Sequence, residues 1–591
     1  MNQSLKDLGE ALPHISKSYL ATVAIDFGTT YSGFAFSFNK RGVTDSIFMN
    51  RVWINEQGHR SMKTPTSLLL KPDQSFHSFG YDAEATYFSL KSILDEKEHW
   101  FFQHFKMYLH NDESLCLDTM IRAANGKRLK AKTVFAHAIK FLKEEALQMI
   151  RMETKDEGYK MEDIQWVLTV PAIWTPKAKQ FMREAAYEAG IGSRENPKQL
   201  MIALEPEAAA VFCTERNLAE PLSDKQTTLE GKSQYMVVDI GGGTLDVTVH
   251  ENLDDGSIKE SYKVTGGPYG GMKVNYQFQT LLDEMFGDQK LYDYRQHFPS
   301  DWLKIMDDFE MKKRTARSLE GKDSRIRLPR SFLSYINDSR SKELKRYDSG
   351  DVRILNEEYL CLSPTAMMSL FEPVLEAMKD HLRVLLSKPQ LSKVQVMLLV
   401  GGFADCLLLQ KEIKKEFSRR CRVIVPPDPS IAVVQGAVMF GNKPSKITQR
   451  VLTTTYGADC TEHFVKGVHP EEKKFLADGK EMCEDIFSCF VKENDVVRLG
   501  QKVKKTFNPV RKDQTKMKWG FYASDHPDAE MITEHGVTRI GTIEVQSPDT
   551  KQGLNRKLEL SMYFGGTEIT ATARDIASGN MARTTFDFFQ L

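Results

Sequence analysis

Residues 236–249, MVVDIGGGTLDVTV, set three glycines between two carboxylates, Asp239 and Asp246. Residues 23–36, VAIDFGTTYSGFAF, repeat the opening of that pattern, with Asp26-Phe27-Gly28 matching Asp239-Ile240-Gly241. Glycines in such a turn let backbone N–H groups approach an anion, and an aspartate stands at each mouth. The dinucleotide fingerprint G-x-G-x-x-G does not fit, because its third glycine would fall on Asp246 and Leu245-Asp246-Val247-Thr248-Val249 alternates as a return strand does. Each segment therefore reads as strand, glycine turn, strand. Such turns are common, and one alone predicts no ligand. Two in one chain predict two related lobes that face each other. If both clamp one anion, Asp26, Asp239 and Asp246 converge. Two like charges about 4 Å apart repel by about 4 kcal/mol at an effective dielectric of 20, so the cluster needs a cation or protonation. Beside phosphates the natural cation is magnesium, which takes oxygen ligands, keeps waters and bridges phosphate oxygens. A nucleotide with magnesium satisfies the whole constellation.

The elements that must position these residues read as an α/β protein. Phe135, Ala138, Ile139, Leu142, Ala146 and Met149 fall at helical spacing within residues 132–152, and Trp166 to Val170 form a strand. The next helix is punctuated by Thr175 as cap, Pro176 in its first turn and Gly190 at its end. A polar stretch, 214–234, leads to the second hairpin and a second lobe with the same alternation. That lobe closes on an apolar strand from Val394 to Val400, followed by Gly401 and Gly402. Residues 307–318, DDFEMKKRTARS, predict a helix with Glu310, Lys313 and Arg314 on one face, a trio that by itself is commonly only a salt-bridged surface. The polar run 442–450, NKPSKITQR, reads as a connection. Beyond it, Leu558, Leu560, Met562 and Phe564 alternate before Gly565-Gly566, and Ile569, Ala571 and Ala573 before Ser578-Gly579-Asn580, the pattern of an antiparallel β domain.

Composition bounds the partners. The 591 residues exceed one core and suggest several compact units. Lys plus Arg and Asp plus Glu each number 80, so no global field draws the chain to nucleic acid or an anionic membrane. Eight cysteines without C-x-x-C pairs, Cys483 and Cys489 included, fit reduced structural thiols. No secretory signal, apolar span or lipidation cysteine is evident, and a cytoplasmic protein with nuclear access is the expectation.

The chain closely resembles the actin-like ATPase superfamily, and within it the seventy-kilodalton heat-shock chaperones. AIDFGTTYSG is similar to the first phosphate loop, VVDIGGGTLDV to the second, VPAIWTPKAKQFMREAAYEAG to the first connecting segment, LEPEAAAVF at 204–212 to the segment with the catalytic glutamate, and LLVGGFAD at 398–405 to the adenosine strand. TGGPYGGMKVNYQFQTLL and MYFGGTEITATARD resemble the atypical twelfth family of these proteins more closely still. The resemblance implies a two-lobed, ribonuclease H-like ATPase fold, with a tail at 1–19, lobes at 20–231 and 232–441 and a linker at 442–450. A C-terminal antiparallel β-sandwich-like, substrate-binding-like domain would follow at 451–591, without a helical lid. It implies ATP and ADP with Mg2+ as ligands. Asp26 and Asp239 would hold the metal through waters. Gly28, Thr29, Thr30, Tyr31, Gly241, Gly242, Gly243 and Thr244 would cradle the phosphates. Lys106, Glu205, Asp239 and Asp246 would carry catalysis, which in phosphoryl transfer is mainly positioning and charge neutralisation. Gly270, Gly271, Glu310, Lys313, Arg314, Gly401, Gly402 and Phe403 would surround the adenosine, with Arg314 stacking on the base.

Departures qualify what the family implies. Phe403-Ala404-Asp405 stands where the chaperones have Ser-x-Arg, so the base pocket is rebuilt, and Gly270-Gly271-Met272-Lys273 lacks two family acids. SKITQRVL replaces the acid-flanked leucine linker, and the chain is expected to end in a strand at Leu591, without the tail that recruits co-chaperones. Two functions follow as expectations: a divergent ATPase chaperone whose β domain binds unfolded clients, or a nucleotide-dependent scaffold or signalling adaptor with vestigial hydrolysis. A sugar kinase is disfavoured by the glutamate segment and the β domain.

Overall fold

Strand Ala21–Phe27 is wholly buried because it lies between two neighbours, and that explains its near-continuous apolar run. The computed structural model describes residues 19–39, 46–55, 58, 60–90, 97–110, 112, 114–155, 159–216, 234–316, 322–337, 350–356 and 358–585. The chain divides into two compact units, one of 19–252 with 265–444, the other holding 253–264 with 445–591.

In the first unit, Ala21–Phe27 runs antiparallel to Tyr31–Phe38 and parallel to Ile164–Val170, which pairs in parallel with Leu200–Leu204. A second sheet repeats this plan. Gln234–Ile240 runs antiparallel to Leu245–Asn252 and parallel to Val394–Val400, which pairs in parallel with Arg422–Ile424. The inferred pair of related hairpins is thus present in backbone pairing. Helix Ala131–Thr154 turns Phe135, Ala138, Ile139, Leu142 and Ala146 inward, while Met149 is half-buried. Helix Pro176–Glu188 opens on the Thr175 hydroxyl, which accepts from Ala178 N–H at 3.2 Å, and Gly190 leaves it with φ 79°.

One expectation is corrected and one is given detail. The helix carrying Glu310, Lys313 and Arg314 spans Pro299–Arg314 rather than 307–318: Pro299 fixes its first turn, Thr315 already leaves the helix, and 317–318 lie outside the described residues. The segment 442–450 is ordered. Helix Ala432–Asn442 is followed by a short turn, Pro444–Lys446, and by strand Ile447–Val451. Within the second unit that strand pairs in parallel with the start of strand Ile258–Gly267, and the Val451 N–H donates to buried Glu260 Oε2 at 2.8 Å. A polar sequence forms a strand here because its partners meet its backbone groups.

The rest of the second unit is antiparallel. A five-stranded sheet orders Lys474–Ala477, Lys480–Val491, Thr455–His463, Lys516–Ser524 and Val537–Gln546, and a four-stranded sheet orders Gln501–Phe507, Leu558–Phe564, Thr570–Asp575 and Met581–Thr585. Both feed one core, in which Tyr456, Trp519 and Phe521 meet Leu560, Met562 and Ala571. The strand expected at Leu591 lies outside the described residues, as do 1–18 and 217–233. Among the described residues no helix is long and apolar enough to cross a membrane.

Candidate functional site

The two glycine turns meet across one half-enclosed cleft, which residues of both turns line. Their approach is close enough that a methyl group at Gly242 would collide with the Thr30 side chain, and one at Gly243 with Met107 Sδ and, at 2.9 Å, Thr29 Oγ1. Within the second turn Gly241 N–H donates to Thr244 O at 2.9 Å, while the N–H groups of Gly242 and Gly243 have no acceptor among the described residues. Gly270, Gly271 and Met272 brace the turn from behind, donating to Gly243 O, Gly241 O and Gly242 O at 3.2, 3.1 and 2.8 Å. Gly28, Thr29, Thr30, Tyr31, Thr244, Gly271, Gly401, Gly402 and Phe403 line the cleft; Gly270 and Asp246 do not.

Three carboxylates, Asp26, Glu205 and Asp239, line the cleft together, and a fourth, Asp246, is buried beside Asp239 outside the lining. Asp26 has both oxygens engaged, Oδ1 accepting from Thr169 Oγ1 at 2.9 Å and Oδ2 from Lys63 Nζ at 2.5 Å. Glu205 opens helix Glu205–Glu215, and its Oε1 accepts from Lys106 Nζ at 2.7 Å; that ammonium also lies 5.2 Å from the Trp174 ring centroid. Burial pushes Glu205 up to about 7, against the Lys106 charge that lowers it and the Asp26 and Asp246 charges that raise it further. Asp246, opposite Asp239 in the hairpin register, accepts from Ile173 N–H at 2.9 Å and is raised chiefly by burial. Asp239 has no ion-pair partner among the described residues, and burial, then the Glu205, Asp246 and Asp26 charges, raise it well above the usual carboxylate range. Gly401, at φ 93°, leaves no room for a side chain against Asp239 Oδ1.

At the other end Glu310 Oε2 accepts from Lys313 Nζ at 2.5 Å and Asn275 Nδ2 at 2.8 Å, and Lys313 also donates to Gly271 O at 3.1 Å. Burial alone would raise Glu310; the Lys313 charge and these hydrogen bonds bring it below the usual range. The Arg314 guanidinium lies 4.4 Å from the Tyr31 ring centroid, and its Nη1 is buried with no hydrogen-bond partner among the described residues. Phe403 packs within 3.1 Å of where a Gly271 side chain would begin, with Lys313 Nζ 5.6 Å from its ring centroid. Among the residues that sequence reasoning missed, Lys63 stands next to the short strand Thr64–Pro65 with no motif to mark it, and Thr169, Ile173 and Asn275 orient the acids.

The donor set suits magnesium. It offers hard carboxylate oxygens, one of them on Asp239, an acid without an ion-pair partner among the described residues.

Comparison with known proteins agrees with this geometry. The family model described as Hsp70 protein matches residues 22–454. Heat shock 70 kDa protein 12A of Homo sapiens is 37% identical over 625 aligned residues, covering 97% of this chain and 92% of its own. Heat shock 70 kDa protein 12B of Homo sapiens is 36% identical over 631, covering 97% and 91%. Chaperone protein DnaK 3 of Synechococcus sp. is 26% identical over 300 residues, covering 50% of this chain and 41% of its own. A family match across most of the chain, two hairpins that share one plan and relatives aligned nearly end to end lead to one assignment: the chain belongs to the Hsp70 family, as a divergent member carrying its actin-like nucleotide-binding ATPase domain.

Proposed function

We propose that this chain binds ATP and ADP with magnesium between the two hairpins and hydrolyses ATP slowly, as a divergent chaperone-like protein. Its nucleotide state would modulate client or partner binding by the β-sandwich-like C-terminal unit. The observation that carries the reading is the meeting of two glycine turns over four carboxylates and two lysines, with the Gly242 and Gly243 N–H groups uncommitted. Those amides, with Thr29, Thr30 and Thr244, bind phosphate oxygens, and Lys106 meets the terminal phosphate. Asp239 would hold the metal through waters, with Asp26, already paired to Lys63, beside it. Magnesium, when bound, neutralises phosphate charge. Glu205 and Asp246 orient the attacking water, and Glu205, at about 7, is poised to take its proton near neutrality. Eight unpaired cysteines support a reducing, cytoplasmic setting.

The second reading, a scaffold or adaptor with vestigial hydrolysis, is favoured by the base end, where Phe403 packs at Gly271 and Asp405 lines the cleft. Single-turnover ATP hydrolysis, with and without an unfolded client, separates the two. The native chain is expected to hydrolyse faster with client, and Glu205→Ala and Asp239→Ala each to lose about 10²-fold or more. Hydrolysis indifferent to both substitutions sinks the ATPase reading, and a rate unmoved by client favours the adaptor.

A further inference from the structure

The two jaws of the cleft share a backbone plan and differ in charge. In the second, Asp239 stands opposite Asp246; in the first, the register puts Asp26 opposite Gly33. Glycine at 33 leaves the space that the Lys63 stem crosses, since a methyl there would meet Lys63 Cγ at 3.1 Å. The ammonium ends 2.5 Å from Asp26 Oδ2, its side chain only 11% exposed, and it lines the cleft. Its position is fixed from both sides. Thr169 holds the other Asp26 oxygen, and the strand Thr64–Pro65 that follows Lys63 pairs with Tyr31–Phe38. Lys106 is already paired with Glu205, so two of the four acids have a direct ion-pair partner; Asp239 and Asp246 have none among the described residues and feel Lys63 and Lys106 only from a distance.

A cation paired with Asp26 inside the cleft cancels the repulsion that a bare Asp26 would exert on phosphate, whether or not a metal is present. We propose that Lys63 is a built-in cation of the phosphate cleft, neutralising Asp26 so that this chain binds ATP and ADP without a divalent metal. The proposal rests on the nucleotide-binding reading above. It leaves magnesium a role at Asp239 and makes the metal dispensable for binding.

The test is calorimetric titration of ATP into the full chain, in magnesium and in EDTA. The native chain should differ by less than about tenfold between the two conditions. Lys63→Gln, which leaves Asp26 bare, should bind at least about thirtyfold more weakly in EDTA than in magnesium, and Lys63→Arg should behave as the native chain does. A native chain that loses tenfold or more in EDTA overturns the proposal while leaving nucleotide binding intact, and so does Lys63→Gln binding as tightly as native in EDTA. No binding by the native chain in magnesium overturns both readings. Thermal melts of each variant check its folding, and the native comparison requires no variant.

Discussion

Glu84 shows how an acid is accommodated when it is buried near Glu310. Its carboxylate accepts from Ser67 Oγ at 2.7 Å and Gln103 Nε2 at 2.9 Å, yet burial and the facing Asp307 push it up to about 8, with Glu310 adding to the repulsion. Asp307 is itself pushed up to about 6, by burial and then by Glu310 and Asp308. An acid whose pKa is raised on folding contributes stability below its unfolded value, near 4.5, and loses it as pH rises through about 8. Glu84→Gln keeps the acceptor for Ser67 and removes the titration. Its melting temperature relative to the native chain should therefore climb between pH 5 and pH 9, by on the order of a few degrees; a difference flat with pH would show that folding does not raise the Glu84 pKa. At this scale Asp26, Asp239 and Asp246 could be picked out because glycine turns adjoin them; helical spacing put Glu310, Lys313 and Arg314 on one face, and only the family resemblance gave them, Glu205 and Lys106 a role. Lys63 was not legible: a lysine between Met62 and Thr64 carries no local signal, and only tertiary pairing sets it beside Asp26. Nor could spacing show that Arg314 would rest on Tyr31.

The hairpins were readable as elements because alternation and glycine report local backbone geometry, and each turn is decided within about ten residues. The ends of the helix Pro299–Arg314 and the strand at Ile447–Val451 were not, since charged residues suit both helix and loop, and a polar strand exists only where a partner strand receives it. The same distinction governs what glycine does in the clamp. Gly242 is required by the other jaw, whose Thr30 side chain occupies the place of its missing methyl. Gly242→Ala should weaken ATP binding by about tenfold or more, and adding Thr30→Gly should recover at least about threefold despite the loss of a cradle residue. Additive losses in that double-mutant cycle would mean that the glycine serves its own turn and does not serve the fit between jaws.

The chain divides into two compact units, and the proposed nucleotide switch would require free energy to pass between them. The C-terminal core is assembled from its own strands: Trp519, opposite Ile543 and 5.7 Å from Phe507, packs with Phe521, Leu558 and Leu560. Truncating a buried tryptophan costs about 3–5 kcal/mol, so Trp519→Ala should disable this unit without touching a residue of the ATP cleft. If ATP changes the affinity for an unfolded client by some factor, the client must change the affinity for ATP by the same factor, and such couplings run about 5- to 150-fold. We therefore expect client to shift the ATP dissociation constant of the native chain, ATP to shift the client constant equally, and Trp519→Ala to abolish both shifts while ATP alone binds within about twofold of native. Two matched shifts that vanish together would establish the C-terminal unit as the switched element. Shifts that survive Trp519→Ala would move client binding to the unit that holds the nucleotide, and no shift in either direction would leave the nucleotide as a structural ligand of an adaptor.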